Sequence, residues 1–283
     1  MSKEQQRTRK NQKKRKRTIL IGFLFIICVT GVGFFVKEKQ KSENHGLQTT
    51  SSKTVAASKK TTQTEEKKET KRTASETFLK QVDLQSWQLQ LVGPDHKISA
   101  PIDEATTLEN VGSFQMNKAI VTSFEELEAA AQAAGYPLVI VSAYRSVAYQ
   151  EQVLNAAIQQ KMANGMTYDE ALADAKKTMT EPGYSEHHTG LAIDVVDQYW
   201  YNNYTPELLH SNFGQTEGGK WLAANVANYG FIIRYPEGKE ALTKIEYEPW
   251  HIRYVGKENA IYMTKHQLTL EEFLEKAKKE QQK

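Results

Sequence analysis

The hydrophobic pattern separates one long apolar segment near the N-terminus from short, punctuated segments in the rest of the chain. Ile19–Val36 is an uncharged apolar run of 18 residues, close to the ~20 residues that cross a bilayer as a helix. Residues 37–75 are rich in Lys, Thr, Ser, Gln and Glu, and such a segment cannot offset its ordering entropy by burial. The pattern therefore predicts a transmembrane helix over residues 18–36, followed by a disordered stalk.

From about residue 76 onward, segments of strand and helix periodicity alternate with turn residues. The predicted strands are Trp87–Val92, Leu138–Ala143, Leu191–Val196, Phe231–Tyr235 and Ile252–Val255. S/T-x-x-E boxes and Gly stops predict the helices, which are Ser123–Gly135, Ala148–Ala163, Thr167–Thr180, Lys220–Tyr229 and one that begins after Thr269. Because no regular βαβ alternation occurs, we predict an α+β domain over residues 76–274, with a small, mainly antiparallel sheet flanked by helices. A charged helix end would follow over residues 275–283.

The charges beside the apolar segment indicate its direction in a membrane. Residues 1–17 carry nine Lys or Arg and a single acid, Glu4, and positive flanks stay in the cytoplasm. We therefore expect a cytoplasmic basic tail, with everything after Val36 outside the cell. A cleaved signal peptide is the alternative, but no clear small-x-small site follows the apolar run. A lipidated Cys28 is disfavoured by the preceding Ile27, where a small residue would be expected.

The composition of the predicted domain argues against nucleic acid as its partner. Residues 76–283 hold 28 Asp or Glu against 18 Lys or Arg, a net charge of −10, whereas nucleic-acid-binding surfaces are basic. The one cysteine of the chain, Cys28, lies in the apolar segment. The outer domain therefore depends on no disulfide, and its roughly 200 residues are enough to bury a core without one.

Two imidazoles and two carboxylates stand out in two separate segments of this domain. Asp194 falls on a predicted strand among apolar neighbours, where a carboxylate must be paired or metal-bound. Gly190 permits the tight bend that would return His187 to Asp194. Further along, Glu248 and His251 are three residues apart, and a strand bulge at this point would direct both into one site. Nitrogen and oxygen ligands with a spare carboxylate are typical of a catalytic zinc site, which favours a hydrolase.

These residues lie in motifs that resemble the zinc D-Ala-D-Ala carboxypeptidases of the VanY and LdcB type, peptidase family M15B, which are related to the VanX dipeptidases. The family pattern S-x-H-x-x-G-x-A-x-D matches Ser185–Asp194, and E-x-W-H matches Glu248–His251. An upstream S-x-Y-R-S pattern matches Ser142–Ser146. The resemblance covers about residues 80–274, with three motifs in order. One departure is His188, where many relatives carry Gln.

The resemblance implies zinc held by His187, Asp194 and His251. It implies that Glu248 acts as general base towards the attacking water, which zinc activates, and then as general acid. It also implies that Arg145 faces the substrate. This guanidinium would either grip a terminal carboxylate through two hydrogen bonds or steady the oxyanion of the tetrahedral intermediate.

Three further features leave alternatives open. Ser185 would hydrogen-bond the substrate, but capping or turn formation is an equal alternative. The S-x-H spacing favours His187 over His188 as the metal ligand. The aromatic segment Tyr199–Tyr204 would either stack on sugar rings or pack over the core as a lid.

A Ser-His-Asp hydrolase is disfavoured because no G-x-S-x-G elbow is present.

Together, the membrane segment and the family resemblance imply a membrane-anchored zinc carboxypeptidase that removes the terminal D-alanine of peptidoglycan stem peptides on the wall side of the membrane. The nearest alternative is an L,D-carboxypeptidase that shortens tetrapeptides to tripeptides, because the same zinc machinery would serve both. A dipeptidase is a weaker alternative. In a different class, a non-catalytic wall-binding module would have kept the fold, but the intact Glu248 disfavours it. No particular oligomeric state is predicted.

Overall fold

The computed structural model describes residues 73–204 and 207–283. The predicted cytoplasmic tail, the membrane segment over residues 18–36 and nearly all of the predicted stalk lie outside these residues. Among the helices of the described ranges, none is long and apolar enough to cross a membrane. Residues 73–81 are helical (α1), so the domain boundary predicted between residues 75 and 76 falls within a helix.

Helices and short strands follow one another without a regular repeat, which confirms the predicted α+β class. The strands are β1 (Leu108–Val111), β2 (Phe114–Asn117), β3 (Leu138–Ser142), β4 (Ala192–Asp197), β5 (Phe231–Tyr235) and β6 (Glu248–Tyr254). The α-helices after α1 are α2 (Glu104–Thr107), α3 (Val121–Ala133), α4 (Val147–Ala163), α5 (Tyr168–Ala175), α6 (Gln198–Asn203), α7 (Glu217–Asn225), α8 (Glu240–Thr243), α9 (Lys257–His266) and α10 (Leu270–Gln281). Short 3₁₀ turns occur at Trp87–Leu89, Lys118–Ile120, Glu186–Thr189, Ser211–Gln215 and Val226–Tyr229.

An antiparallel sheet of strands β3, β4, β6 and β5, in that spatial order, forms the centre of the described domain. Strands β4 and β6 come from distant parts of the sequence but are hydrogen-bonded neighbours. In their register Asp194 faces His251 and Ile193 faces Ile252. Strands β1 and β2 form a separate hairpin that turns at Gly112, and the sequence analysis did not predict it. The mainly antiparallel sheet is confirmed.

The helices cover the sheet and supply much of the core. Phe124 and Leu127 of α3 pack with Ile193 and Val195 of β4 and with Ile252 of β6. Each of these side chains is fully buried, and burial of such a side chain contributes roughly 1.5–3 kcal/mol. Ile193 and Val195 therefore anchor one face of β4, which leaves the intervening Asp194 on the other face.

A second cluster of buried residues ties the two ends of the described chain together. Leu79 of α1, Met263 of α9 and Phe273 of α10 are its centre, and Ala277 is buried with them. Helix α10 therefore crosses the boundary predicted at residue 274 and packs on the domain along its length. A third, smaller cluster joins α4 and α5.

Two of the three predicted helix caps are present. Thr167 and Thr269 each form a complete capping box, with the glutamate three residues on reaching back to the cap. The cap predicted at Ser123 is wrong, because α3 already begins at Val121. The chain enters α3 through a 3₁₀ turn, and Asn117 accepts the capping hydrogen bond of that turn.

The strand predicted over Trp87–Val92 is also wrong. Only a 3₁₀ turn forms there, and the carbonyl oxygens of Gln88 and Gln90 accept hydrogen bonds from the Arg253 guanidinium, at 3.1 and 2.8 Å. A side chain thus takes the place of a neighbouring strand. The other predicted strands form, but β6 begins at Glu248, four residues before the predicted start.

Candidate metal centre and substrate cleft

The pairing of β4 with β6 brings two predicted ligands together. Asp194 and His251 are directly opposed across the two strands, and such opposed residues have Cβ atoms about 4.5–5.5 Å apart. Asp194 Oδ1 lies 3.1 Å from His251 Nδ1. Sheet register alone therefore joins two residues that are far apart in sequence.

A short turn returns His187 to this pair. His187 belongs to the 3₁₀ turn that ends at Gly190, which has a φ of +68°, in the left-handed region that favours glycine. A Cβ at position 190 would lie 3.0 Å from the backbone nitrogen of Asn117, so the position also has little space for a side chain. The turn places His187 Nε2 3.2 Å from Asp194 Oδ2. This is the tight bend that the sequence analysis required.

His187, Asp194 and His251 form a buried group in which each residue offers one ligand atom within 4.8 Å of the others. The carbonyl oxygen of Ala143 lies 2.7 Å from His187 Nδ1. A carbonyl can only accept, so Nδ1 carries the proton and Nε2 keeps its lone pair for a cation. His251 Nε2 lies 3.3 Å from Glu186 Oε2, which leaves Nδ1 facing Asp194.

The donor atoms of this group fit a zinc ion. Asp194 Oδ1 is a buried oxygen without a hydrogen-bond partner among the described residues, and it lies 3.1 Å from His251 Nδ1, the nitrogen that carries the lone pair when Nε2 donates to Glu186. Two lone pairs that face each other at this distance repel unless a proton or a cation lies between them. Two imidazole nitrogens and one carboxylate oxygen are a usual protein ligand set of catalytic zinc.

Glu248 is the fourth member of the site, and a bulge brings it there. Ile233 of β5 pairs with Ile252, but Tyr235 pairs with Glu248, so β6 contains extra residues between the two pairs. The bulge turns residues that a regular strand would direct to opposite faces towards the same space. Glu248 Oε2 lies 3.5 Å from His251 Nδ1. The irregularity expected at this point of the sequence is confirmed.

Buried carboxylates dominate the electrostatics of the site. Burial raises the pKa of Glu248 to about 8, although His251 acts in the opposite direction. Burial lowers the pKa of His251, but the neighbouring Asp194 and Glu186 carboxylates outweigh burial and raise it to about 9, so a metal ion that binds at Nδ1 must displace a proton. Burial also lowers the pKa of His187, which keeps this imidazole neutral, as a ligand must be. Three carboxylates in one low-dielectric space are an environment that a divalent cation stabilises.

A cleft of about 230 Å³ opens over the metal group. Its polar residues include Arg145, Gln150 and Ser185 besides the four residues already described. Its apolar wall consists of Val153, Met179, Leu209, Ile245 and Trp250. The cleft therefore suits a small, partly apolar group that approaches the metal site with a polar end.

Arg145 is held firmly at the wall of this cleft. Its Nη1 donates to Gln150 Oε1 and its Nη2 donates to Ser142 Oγ, both at 2.8 Å. Nη2 is also 3.9 Å from Asp194 Oδ2. The next residue, Ser146, caps α4, so the S-x-Y-R-S segment both starts a helix and aims the guanidinium. Gln150, which the sequence analysis left without a role, fixes the orientation of Arg145.

The structure also separates Ser185 and His188 by what their side chains do. Ser185 is buried in the cleft and makes no capping hydrogen bond, although it precedes the 3₁₀ turn. His188 points away from the metal group. Its Nε2 accepts from the Gly183 N–H at 3.0 Å and its Nδ1 donates to the Arg145 carbonyl at 2.6 Å. Both ring nitrogens of His188 are thus engaged by the backbone, whereas those of His187 leave one lone pair free.

The aromatic segment forms helix α6, which Tyr204 caps at its C-terminal end. Trp200 is buried in the main core, and its ring stacks on that of Tyr204 with centroids 3.8 Å apart. Tyr199, by contrast, is 68% exposed. The alternative of packing over the core is confirmed for Trp200.

The role of Glu186 is not apparent from the local sequence. This residue is fully buried, and its Oε1 accepts hydrogen bonds from Arg234 Nε at 2.8 Å and from Arg253 Nη1 at 2.6 Å. The available signal was the two arginines, since Arg234 lies among the apolar residues of β5 and Arg253 directly follows Ile252 in β6. A buried charge needs a partner, and Glu186 is the carboxylate that both share.

Comparison with known proteins shows the family to which this chain belongs. The family model for VanY, D-alanyl-D-alanine carboxypeptidase, matches residues 113–257. The D-alanyl-D-alanine carboxypeptidase of Enterococcus faecalis (strain ATCC 700802 / V583) is 34% identical over 199 residues, which are 70% of this chain and 69% of that protein. YodJ of Bacillus subtilis (strain 168) is 40% identical over 171 residues, 60% of this chain. These span 58% of YodJ, less than two thirds of its length. The chain is a member of the VanY carboxypeptidase family.

Solved structures of related enzymes share the fold. A mutant of the D,D-pentapeptidase VanY in complex with Zn(II) has a TM-score of 0.57 and 32% identity, covering 67% of this chain and 99% of its own. VanYB in complex with D-alanine-D-alanine has a TM-score of 0.59 and 32% identity, covering 67% and 98%. The LdcB LD-carboxypeptidase has a TM-score of 0.54 and 35% identity, covering 66% and 85%.

The two adjacent histidines should respond differently to replacement. We expect His187→Ala to weaken zinc binding by more than ~100-fold, since even outer residues of metal sites change affinity 10–100-fold. His188→Ala should keep the affinity within ~10-fold but lower the free energy of unfolding by about 1–3 kcal/mol, because the Gly183 N–H loses its acceptor. Chelator competition and urea denaturation of the metal-free proteins measure the two effects. The reverse pattern would make His188 the ligand.

Proposed function

We propose that this protein is a zinc-dependent D,D-carboxypeptidase that removes the terminal D-alanine of peptidoglycan stem peptides. The observation that carries the proposal is the convergence of His187, Asp194 and His251 on one point of a narrow cleft, with Glu248 beside them. Membership of the VanY family supports it. So does the likeness to VanYB, which binds D-alanine-D-alanine.

The residues of the cleft suit hydrolysis of a terminal peptide bond. Zinc in such a site lowers the pKa of a water that it binds and polarises a carbonyl. Glu248 takes one proton from the attacking water while the C–O bond forms. It then gives that proton to the nitrogen of the leaving D-alanine as the C–N bond breaks. Burial raises the pKa of the Glu248 carboxyl group and a nearby zinc ion would lower it again, so the two effects together suit Glu248 to both halves of this exchange.

Arg145 gives the site its preference for a chain end. Its guanidinium lies at the cleft wall, and Gln150 and Ser142 hold its plane in place. A guanidinium binds a carboxylate through two parallel hydrogen bonds, so Arg145 would hold the terminal carboxylate of the substrate. Ser185, which also lines the cleft, would add a further hydrogen bond to the substrate. The small apolar wall then accommodates the methyl group of alanine.

Two other activities use the same geometry. LdcB, an LD-carboxypeptidase, is 35% identical to this chain, which makes L,D-carboxypeptidase the second candidate. Both reactions release a C-terminal D-alanine, but the residue before the scissile bond has a different configuration. A non-catalytic wall-binding module is disfavoured, because binding alone requires no carboxylate where Glu248 stands.

Stem peptides of different length distinguish these activities. The purified full-length chain, incubated with muropeptides that carry pentapeptide or tetrapeptide stems, should remove one alanine from the pentapeptide. Mass spectrometry of the products measures this, and a chelator should abolish the reaction until zinc is restored. Preferential cleavage of the tetrapeptide would indicate the L,D activity instead, and no product from either would contradict both.

A modified substrate tests whether Arg145 recognises the C-terminal carboxylate. A pentapeptide whose C-terminal carboxylate is converted to an amide keeps its size and stereochemistry but loses the charge that Arg145 would bind. We expect its cleavage to fall by at least ~10-fold, since charge-assisted hydrogen bonds contribute about 1.5–3 kcal/mol. Equal cleavage of the acid and the amide would contradict the role of Arg145.

Replacement of the base should separate metal binding from turnover. We expect Glu248→Gln to keep zinc but to lower kcat by about 100-fold or more, because general base catalysis contributes 10²–10⁴-fold. Glu246→Gln, which changes an exposed carboxylate two residues away, is the matched control and should act as the unmodified protein does. Unchanged turnover in Glu248→Gln would refute the role of Glu248, and loss of zinc would make it a ligand instead.

We propose further that residues 18–36 tether the enzyme to the cell membrane, with the catalytic domain on the wall side. The apolar run and the basic residues 1–17 support this, since positive flanks remain in the cytoplasm. Fractionation of cells that express the full chain should place it in the membrane pellet, whereas a chain without residues 1–36 should be soluble and active. A soluble full chain would contradict the tether, and an inactive shortened chain would make the segment part of the site.

A further inference from the structure

Beneath the metal group lies a buried network of charges that the proposed reaction does not use. The Glu186 carboxylate has no exposed surface, and its two oxygens serve different partners. Oε1 accepts from Arg234 Nε at 2.8 Å and from Arg253 Nη1 at 2.6 Å. Oε2 faces His251 Nε2 at 3.3 Å. Glu186 therefore joins two arginines to the nitrogen of His251 that points away from the metal group.

This arrangement fixes the imidazole of His251. A carboxylate accepts hydrogen bonds and cannot donate them, so the ring proton of His251 is drawn to Nε2 and the lone pair is left on Nδ1. The two guanidinium groups hold Glu186 from the other side, so its carboxylate cannot rotate away. Second-shell carboxylates of this kind orient metal-bound histidines in many metal sites.

The network of charges extends to the C-terminal helix through Glu271, near the start of α10. Arg234 Nη1 donates to Glu271 Oε2 at 3.0 Å, and Arg234 Nη2 donates to Glu271 Oε1 at 2.6 Å. This is a two-point contact between planar groups, which fixes orientation as well as distance. Because the guanidinium is planar, Glu271 determines where Nε of the same arginine points, and Nε contacts Glu186. Helix α10 otherwise packs in the second cluster, which includes Ile232 of β5 but not the residues of the main core cluster.

We propose that Glu186 is a positioning residue for the metal ligand His251, and that Glu271 of α10 acts on the same ligand through Arg234. This inference rests on the proposed function and deepens it. The C-terminal helix would then determine metal affinity as well as stability. Residues of the second cluster would be coupled to the metal group by a chain of four charged or polar side chains, Glu271, Arg234, Glu186 and His251.

Metal affinity and the spectrum of a bound probe test this inference. In the full-length chain, Glu186→Gln should lower zinc affinity by about 10–100-fold, because the amide cannot accept from all three of its present donors. The visible absorption of the Co²⁺-loaded protein should shift, since it reports the geometry of the ligands. A merely structural role would lower the unfolding midpoint of the metal-free protein but leave the affinity and the spectrum of the folded protein unchanged, and that result would overturn the proposal.

A second variant keeps the test decisive if Glu186→Gln does not fold. Glu271→Gln removes a carboxylate that is only 16% exposed and leaves Glu186 in place. The matched control is Glu275→Gln on the same helix, where the carboxylate pairs with exposed Lys279 at 3.2 Å. We expect Glu271→Gln to weaken zinc binding several-fold and to shift the Co²⁺ spectrum, and Glu275→Gln to change neither.

The result for the unmodified chain separates this inference from the proposed function. Equal affinity and equal spectra in Glu271→Gln and Glu275→Gln would overturn the coupling through α10, even if the unmodified chain binds zinc and hydrolyses stem peptides. Failure of the unmodified chain to bind zinc would instead contradict the proposed function, and this inference with it.

Discussion

The register between β4 and β6 is the constraint on which the site depends. It sets Asp194 directly opposite His251, and a slip of one residue would turn one of the two to the other face of the sheet. The apolar side chains of the same strands make such a slip costly, because the strand that slips would also take its own isoleucine, Ile193 or Ile252, out of the core. The packing of the core and the geometry of the metal group are therefore fixed by the same pairing.

Two local departures from regular structure bring the remaining residues of the site to the pair that the β4–β6 register sets. The left-handed turn at Gly190 returns His187 to Asp194, and the bulge in β6 brings Glu248 to His251. These features concentrate carboxylates in a buried space, which is unfavourable unless the charges are compensated. Positively charged side chains, such as Arg234 beside Glu186, compensate part of this negative charge. A metal ion would compensate the rest.

Much of the fold and of the metal group could be predicted from local sequence. The buried strands appear as apolar runs, the capping boxes at Thr167 and Thr269 predict the helices that follow them, and the motif spacing around His187 indicates a metal ligand. The prediction failed where a distant partner decides the outcome. Residues 87–92 have the pattern of a strand, but the Arg253 side chain donates to the carbonyl groups of Gln88 and Gln90. The role of Glu186 was hidden for the same reason, because its arginine partners lie 48 and 67 residues away.

X-ray absorption at the zinc edge of the loaded full-length chain tests the central claim most directly. We expect one zinc ion per chain, with two imidazole nitrogens and at least one oxygen at about 2.0–2.2 Å. Scattering that lacks the imidazole pattern, or that fits a single histidine, would contradict it. Such a result would mean that the residues joined by the β4–β6 register do not share an ion.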